Sequence, residues 1–283
     1  MVVERSSGRD SDVEMMTADD TRGEDFADWD PDLTARLVNA AAPLAKRWFR
    51  PDVRGLTSFP HIGGALVVSN HSGGMLTPDV LIFAAAFYKA FGYQRPLCVL
   101  GHDGLFVGPM AAWMTRIGVI RAGRKDAAAA LRSGGVVLTF PGGVYDAYRP
   151  TLVQNHIDFN GRVGYVRTAI DAGAPIVPMV SIGGQESQLF LNRGTWLAKR
   201  LGLKRLRSDI LPVTFGFPFG LSMLVPVNVP LPTKIVSQVL TPIDVFARFG
   251  EDPDVDDVDA HVRSMMQTAL DGLARQRRLP VLG

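Results

Sequence analysis

Residues 65–74, Ala65-Leu66-Val67-Val68-Ser69-Asn70-His71-Ser72-Gly73-Gly74, decide how the chain folds. The uncharged, largely aliphatic first half predicts a buried strand. A histidine and several small residues follow directly, and sites in α/β folds form where strands end. The small residues leave space around the His71 ring for a substrate. The stretch therefore predicts an α/β protein with His71 as a candidate site residue.

Strands and helices alternate along the rest of the chain. The sequence predicts helices over residues 79–91, 126–132, 163–172 and 259–276, and further strands over 97–100, 136–140, 176–182 and 235–240. Such alternation implies a largely parallel sheet whose faces are covered by helices. No repeat or internal linker divides residues 31–283. We therefore expect one α/β domain with a mostly parallel central sheet flanked by helices.

The beginning of the chain has a different character. Residues 1–30 contain ten acidic and three basic side chains and are predicted to form a disordered acidic tail. Asp30 and Pro31 suit the cap and first turn of a helix, and an N-terminal amphipathic helix is predicted within residues 31–58. Its apolar face is expected to contain Leu33, Leu37, Ala40, Ala41 and Leu44.

The end of that helix permits two interpretations. Three basic residues lie beside two aromatic ones, in the order Lys46-Arg47-Trp48-Phe49-Arg50. They suit a surface helix docked on the core, whose cations favour the helix C-terminus. They equally suit an anchor in which Trp48 and Phe49 insert at a lipid interface.

Composition limits the partners of the protein. The 283 residues are 47% hydrophobic and 20% charged, with a net charge of +2. Because the tail is acidic, the remaining body is basic, which suits a phospholipid surface, a phosphorylated substrate or coenzyme A. The single cysteine, Cys98, excludes an internal disulfide and is expected in the core. The N-terminus is not a secretory signal, so a cytoplasmic location is expected.

The longest uncharged segment covers residues 210–233. It is long enough to span a bilayer, but it contains five prolines, each of which would remove a helix hydrogen bond that lipid cannot replace. We expect short strands and loops that are buried or face a membrane. Peripheral binding without a span is therefore predicted.

His71 has a candidate partner in Asp79, eight positions later at the start of a predicted helix. A loop of this length can fold back so that the carboxylate accepts a hydrogen bond from the imidazole and stabilises its charged form. His71 would then act as a general base on a hydroxyl. Alone, the two residues are also compatible with a structural loop histidine and a helix cap.

Further motifs follow in order. They are Ile117-Gly118-Val119-Ile120-Arg121, then Phe140-Pro141-Gly142-Gly143 with Asp146 and Arg149 behind it, then Ala174-Pro175-Ile176-Val177-Pro178-Met179. With Asn70-His71 and Asp79, this series resembles the four blocks of the glycerolipid acyltransferase superfamily, which includes the lysophosphatidic acid acyltransferases. The resemblance covers residues 60–185.

The resemblance implies transfer of a fatty acyl group from acyl-CoA or acyl carrier protein to a hydroxyl of a glycerolipid such as lysophosphatidic acid or monoacylglycerol. His71 and Asp79 would be catalytic, with no metal and no cofactor beyond the acyl co-substrate. The enzyme would bind a membrane surface peripherally, on the inner face, and no nucleic acid. Substrate contacts would come from Asn70, Ser72, Gly73, Gly74, Arg121, Phe140, Pro141, Gly142, Gly143, Asp146 and Arg149.

Two departures from the family pattern bear on these roles. The first block usually places its Asp five positions after its His. This chain has Leu76 at that position, and Asp79 lies three positions further on. The third block usually reads Glu-Gly-Thr-Arg and helps to hold an acceptor phosphate. The Phe140 to Gly143 form is similar to the monoacylglycerol and diacylglycerol acyltransferase branch, where the acceptor can be neutral, and Asp146 and Arg149 are the candidates to replace the missing groups.

Other functions remain open at this point. Gly142 and Gly143 are compatible with a simple turn as well as with backbone N–H groups offered to an oxyanion. A lipid hydrolase would need a serine in Gly-x-Ser-x-Gly, which the sequence lacks, but thioesterase activity follows if water replaces the acceptor at His71. A catalytically silent lipid-binding protein is a further alternative. Neither a Walker loop nor Gly-x-Gly-x-x-Gly occurs, which disfavours a nucleotide-binding enzyme.

Overall fold

The computed structural model of the chain describes residues 28–203, 210–223, 225–279 and 281–282. Its strands are β1 (Asp52–Arg54), β2 (Ala65–Ser69), β3 (Leu97–Gly101), β4 (Val119–Arg121), β5 (Val136–Thr139), β6 (Ile176–Ile182), β7 (Leu189–Asn192), β8 (Val213–Gly216), β9 (Gly220–Ser222) and β10 (Val236–Val239). Its helices are α1 (Pro31–Phe49), α2 (Pro78–Phe91), α3 (Pro109–Arg116), α4 (Arg124–Arg132), α5 (Gly143–Ala147), α6 (Gly164–Ala172), α7 (Thr195–Arg200), α8 (Val245–Phe249) and α9 (Val255–Gln276).

A seven-stranded sheet forms the centre, in the order β1-β10-β6-β2-β5-β3-β4. Strands β6, β2, β5, β3 and β4 are parallel to one another, whereas β10 is antiparallel to β6 and parallel to β1. The predicted mostly parallel sheet flanked by helices is confirmed. Strand β2 lies in the middle and is buried throughout, because helices cover both faces of the sheet.

The two faces of β2 support two different cores. Leu66 and Val68 pack with apolar residues of α4, α6 and α9, while Ala65 and Val67 pack with those of α1 and α2. The alternation follows from the period of two along a strand. Burial on both faces holds the end of β2, and therefore His71, in place.

Helix α1 differs in part from its prediction. Asp30 caps it as expected, accepting a hydrogen bond from the Leu33 N–H at 2.9 Å. The helix ends at Phe49 because Arg50 adopts a left-handed conformation with φ of 43°, and β1 occupies part of the predicted helical range to residue 58. The face of α1 that packs on the core is not the predicted apolar face. Its buried residues are Thr34, Val38, Ala45 and Phe49.

The predicted acidic tail lies almost wholly outside the described residues. Its last two residues belong to the folded body instead. Trp29 packs against the core of α1 and α2, and Asp30 forms an ion pair with Arg116 at 2.7 Å. The packed chain therefore begins before the predicted boundary at residue 30.

A second, three-stranded antiparallel sheet is formed by β7, β8 and β9. Strands β8 and β9 lie in the segment 210–233, which confirms the expectation of short strands and loops there. Among the described residues, the stretch Gly74–Phe91 is long and apolar enough to span a membrane. Phe83 and Phe87 on it are fully buried against the central sheet, so it serves as a core helix in this structure.

Candidate active site

Three neighbouring parallel strands end at the same edge of the central sheet. His71 follows β2, Phe140 follows β5 and Gln185 follows β6. Because β5 and β6 flank β2 on either side, their carboxyl ends bring these three residues to one place. The site thus lies where ligands bind in open α/β sheets.

His71 and Asp79 contact each other directly. The His71 Nδ1 lies 3.0 Å from the Asp79 Oδ2, and the Asp79 side chain is fully buried. The predicted proximity of the two side chains is therefore present. The ring nitrogen left for a substrate is Nε2, which has no hydrogen-bond partner among the described residues.

The spacing of eight residues works because the intervening loop makes an additional turn. Residues Gly74–Leu76 form a single 3-10 turn, and Gly73 and Thr77 on either side of it adopt left-handed conformations. This turn returns the chain to the start of α2, where Asp79 lies in the first helical turn. The longer loop therefore reaches the same carboxylate–imidazole contact that the usual family spacing implies.

Two opposing influences act on the His71 imidazole. Burial by itself would lower its pKa. The Asp79 carboxylate, through its charge and its hydrogen bond, and the more distant Asp146 carboxylate prevail and raise the pKa of His71 above its ordinary value. The pair thereby favours the imidazolium form, which is the form that a general base reaches in the transition state.

The ring of Phe140 stacks on the His71 imidazole. Their centroids are 4.2 Å apart and their planes are inclined by 27°. Offset or stacked aromatic contacts of this kind fix ring orientation. Phe140 thus positions the imidazole, and Pro141 and Gly142 after it have their carbonyl oxygens bound by Arg162, at 3.3 and 3.0 Å. The sequence did not single out Arg162.

The local structure explains why glycine occupies positions 142 and 143 of this loop. A Cβ at Gly142 would lie 2.5 Å from the Asp146 Cβ, so only glycine permits that close approach. Gly143 has a φ of 51°, and its N–H already donates to the Phe140 carbonyl at 2.9 Å. Of the two roles that the sequence leaves open for these glycines, the Gly143 N–H has the turn role in this conformation.

Three consecutive backbone N–H groups of the histidine loop are each bound by a buried side chain. His71 N–H donates to Asp146 Oδ2 at 2.6 Å, Ser72 N–H to Asp79 Oδ2 at 2.9 Å, and Gly73 N–H to Gln185 Oε1 at 2.8 Å. Each bond satisfies a backbone donor that burial would otherwise leave unpaired. The loop is consequently held from three directions.

Asp146 and Arg149 do not have the role predicted for them. Both are buried, and the guanidinium donates to Asp146 Oδ1 at 2.8 and 3.1 Å and to the Asp158 carbonyl at 3.0 Å. Burial raises the pKa of Asp146, while Arg149 and the His71 N–H oppose that shift. Since their charged groups face each other, they support the His71 loop and are not placed to hold an acceptor phosphate.

Three other residues predicted to contact the substrate are packed within the protein. Asn70 uses its side-chain amide to bind the backbone N–H and carbonyl of Ser181 on β6, both at 2.8 Å. Ser72 and Gly74 are buried, and a Cβ at Gly74 would come within 3.0 Å of the Phe190 ring. Their small size permits packing within the protein. The Asn70 amide is taken up by β6, whereas the buried Ser72 Oγ has no hydrogen-bond partner among the described residues, so a substrate contact at Ser72 stays a prediction.

Arg121 lies at the same sheet edge but at its far end. It ends β4, three strands from β2, which corresponds to about 14 Å at the usual strand spacing. Its guanidinium lies over the Phe106 ring, 4.8 Å from the centroid, and 3.9 Å from the Asp103 carboxylate. Arg121 therefore does not join the His71 cluster, although it shares the edge on which a long substrate would lie.

His71 is only slightly accessible, and apolar side chains are exposed beside it. The His71 side chain is 13% exposed. Met75 and Leu76 in the adjoining turn are exposed. The surface next to the His71 loop is therefore partly apolar.

Comparison with known proteins places the chain among acyltransferases. The model of the family described as Acyltransferase matches residues 50–182. An uncharacterised protein of Mycobacterium tuberculosis strain H37Rv is 32% identical over 257 residues, which cover 88% of this chain and 69% of that protein. The protein named DGAT1/2-independent enzyme synthesizing storage lipids of Bos taurus is 28% identical, over 68% of this chain and 56% of its own length.

A solved structure shares the fold. The crystal structure of the 1-acyl-sn-glycerophosphate (LPA) acyltransferase PlsC from Thermotoga maritima aligns with a TM-score of 0.53 and 15% sequence identity. The alignment covers 86% of this chain and 82% of that one. At this identity the match supports the arrangement of sheet and helices.

Proposed function

The chain belongs to the acyltransferase family, and we propose that it moves a fatty acyl group from an acyl thioester to a hydroxyl of a glycerolipid, with His71 as general base. The donor would be acyl-CoA or acyl carrier protein, with no metal or other cofactor. The observation that carries the proposal is the 3.0 Å contact between the His71 Nδ1 and a fully buried Asp79, which leaves Nε2 for the substrate.

The reaction requires one base and one proton donor. Nε2 of His71 takes the proton of the acceptor hydroxyl as that oxygen attacks the thioester carbonyl and forms a tetrahedral oxyanion. The oxyanion collapses with cleavage of the carbon–sulfur bond, and His71 returns the proton to the thiolate. The products are the lipid ester and the free thiol, so atoms and charge balance and His71 is regenerated.

Asp79 supports His71 in both steps. Its carboxylate accepts from Nδ1, which selects the tautomer whose Nε2 is a free base. The same carboxylate stabilises the imidazolium while the proton resides on the ring. Full burial of Asp79 strengthens this interaction, because water does not screen it.

The acceptor that we favour is a neutral glycerolipid such as monoacylglycerol. Arg149, the cation predicted to replace the phosphate-binding arginine of the third block, is buried and paired with Asp146. The bovine relative is named for synthesis of storage lipids. Lysophosphatidic acid is the second acceptor to test, since Arg121 lies on the same sheet edge.

We further propose that the enzyme works as a peripheral protein on the cytoplasmic face of a membrane. A glycerolipid acceptor stays in the bilayer, and the turn that follows His71 exposes the apolar side chains of Met75 and Leu76. A body with an excess of basic residues after residue 30 is attracted to anionic headgroups.

The proposal is tested by incubating purified protein with acyl-CoA and a panel of acceptors in vesicles, measuring free thiol and lipid product together. We expect thiol release and an equal amount of new ester with monoacylglycerol. Thiol release without ester would identify a thioesterase. Neither product, with acyl-CoA and acyl carrier protein both tried, would favour a silent lipid-binding protein.

A further inference from the structure

The three-stranded sheet has an apolar row on its outer face. Leu189, Phe215 and Leu221 are paired across β7, β8 and β9 and therefore form one row. Their exposed fractions are 43%, 52% and 66%. Leu191 on β7 and Phe217 and Phe219 in the β8–β9 turn extend the same exposed apolar surface, and these six residues are called the outer face.

The opposite side of this sheet is polar and buried. Thr214 and Ser222 share a hydrogen bond of 3.0 Å between their hydroxyls, and Asn228 donates to Ser222 at 3.0 Å. All three are buried, as is the apolar Phe190 of β7. A half-buried antiparallel sheet in water normally shows the reverse pattern, with polar residues outside. The sheet is thus built with its apolar side toward an external partner.

The net charge of the sequence segment that contains the outer face favours an anionic partner. Between Ser187 and Lys234 the sequence contains seven basic residues and a single acidic one, Asp209. Lys199 and Arg200 on α7 are exposed, beside an exposed Trp196. A two-fold contact with a second copy would place these cations against their own equivalents, whereas anionic lipid headgroups neutralise them.

We infer that the outer face docks on an anionic lipid bilayer, with its aromatic and aliphatic side chains in the headgroup–acyl boundary. The inference rests on the proposed function, because a lipid acceptor has to reach His71. It places the membrane contact away from Phe49, because this residue is buried in the core and so excludes the interpretation in which it inserts at a lipid interface. Trp48 at the end of α1 instead binds the Pro230 carbonyl through its indole N–H, at 2.9 Å.

The docked sheet would lie directly beside the histidine loop. Phe190, on the inner side of β7, packs so closely on Gly74 that a Cβ there would be 3.0 Å from its ring. The exposed Met75 and Leu76 follow in the same loop. The β7–β9 sheet and the side chains on its inner side therefore lie between the outer face and the His71 loop, so docking would hold this loop close to the bilayer surface.

The test compares vesicle binding of two variants. Phe215→Thr with Leu221→Thr removes the centre of the outer face but keeps residues that favour strands. Ile62→Thr is the matched control, because Ile62 is 88% exposed in the loop before β2, at the amino edge of the sheet. The vesicles contain phosphatidylcholine with phosphatidylglycerol, and binding is measured by flotation at several salt concentrations.

We expect the double variant to bind about 10- to 100-fold more weakly than the wild-type protein, since two large apolar side chains no longer enter the interface. Ile62→Thr should bind normally, and binding of the wild type should weaken with salt and without phosphatidylglycerol. Unchanged binding of the double variant, or a wild type that ignores vesicles, overturns the inference. So does a wild-type dimer in light scattering that the double variant abolishes, since the face would then join two copies.

The failure of the inference is separable from that of the proposed function. Each protein is also assayed with acyl-CoA and a short-chain, water-soluble acylglycerol. The double variant should retain this soluble activity and lose transfer to acceptors in vesicles. Vesicle binding through the outer face without any acyl transfer would refute the function alone, and transfer without vesicle binding would refute the docking surface alone.

Discussion

Replacement of Asp79 by Asn tests how His71 is activated. The two oxygens of the carboxylate have different partners: Oδ2 accepts from His71 Nδ1 and Ser72 N–H, and Oδ1 accepts from Val80 N–H at 3.0 Å. If the asparagine oxygen takes the Oδ2 position, the bonds from His71 and Ser72 remain and the NH₂ group faces the Val80 N–H. If it takes the Oδ1 position, the bonds from His71 and Ser72 are both lost. We therefore expect the oxygen in the Oδ2 position.

This orientation preserves the tautomer and removes the charge. When an asparagine forces the histidine into the wrong tautomer, the turnover rate falls about 10⁴-fold, and a loss of this size is therefore not expected here. What is lost is the stabilisation of imidazolium by an ionised hydrogen-bond partner, about 1.5–3 kcal/mol. Because each 1.36 kcal/mol corresponds to a tenfold change in rate, the rate of acyl transfer should fall about 10- to 160-fold.

The pH profile identifies the cause. Neutral His71 is the active form, and its raised pKa means that activity increases with pH through a midpoint above the ordinary histidine value. In Asp79→Asn the lowering effect of burial is opposed only by Asp146, so the midpoint should move to lower pH. Conversely, the pair contributes stability below the ordinary pKa of histidine, and this contribution disappears as pH rises through the raised pKa.

A matched control separates charge at the site from loss of a buried carboxylate in general. Asp259 is also buried and accepts from Tyr165 and Arg263, far along the chain on α9. Asp259→Asn should lower the free energy of unfolding without moving the pH midpoint. If Asp79→Asn is folded and its rate falls less than threefold, or its midpoint stays in place, the assignment of Asp79 as the partner of His71 is refuted.

Three further variants, one of them paired with a control variant, test His71 and the structure around it. His71→Ala should slow acyl transfer by about 10²–10⁴-fold in a protein with a normal melting temperature, and near-normal turnover would refute the general base. Asp146→Asn leaves Arg149 buried without its charge partner, so denaturant titration should show a loss of about 3–5 kcal/mol in stability. Gly142→Ala forces Asp146 away from the histidine loop and should reduce both stability and activity. Its control is Gly272→Ala in the interior of α9, where an added Cβ meets no other atom; this variant should be more stable by about 0.5–1 kcal/mol and keep its activity. Equal melting temperatures for the two variants would contradict this packing.

The main elements of the site could be predicted because their signals are local. The uncharged run from Ala65 indicates a doubly covered strand, and a histidine at its end has few other uses than chemistry or packing. Asp79 was recognisable as a helix-start acid within reach of His71. The contact itself depends on left-handed residues such as Gly73, whose conformation the sequence permits but does not specify.

The roles of Asp146 and Arg149 could not be predicted in the same way. A carboxylate and an arginine three positions apart suit an exposed phosphate site as well as a buried ion pair. The difference depends on the distant carbonyl of Asp158 and on the space left by Gly142, which are brought together only by the tertiary fold. Sequence periodicity also misplaced the core face of α1, because alanines and aliphatic residues occur around much of its circumference and tertiary packing chose Val38 and Ala45.

The arrangement separates two tasks between different parts of the chain. Asp146, Asp79 and Gln185 each hold one backbone N–H of the histidine loop, so the imidazole has little freedom to adapt to a substrate. Adaptation must then come from how the substrate is presented. If a bilayer on the outer face presents the acceptor, its hydroxyl arrives at a fixed depth, and a rigid base at that depth is favourable because the orientation is established before reaction. The rigid His71 loop and the apolar docking sheet therefore act together, since the loop fixes the position of Nε2 and the docked sheet fixes the depth of the bilayer. Without one of them, the acceptor hydroxyl and Nε2 would not be oriented relative to each other before reaction.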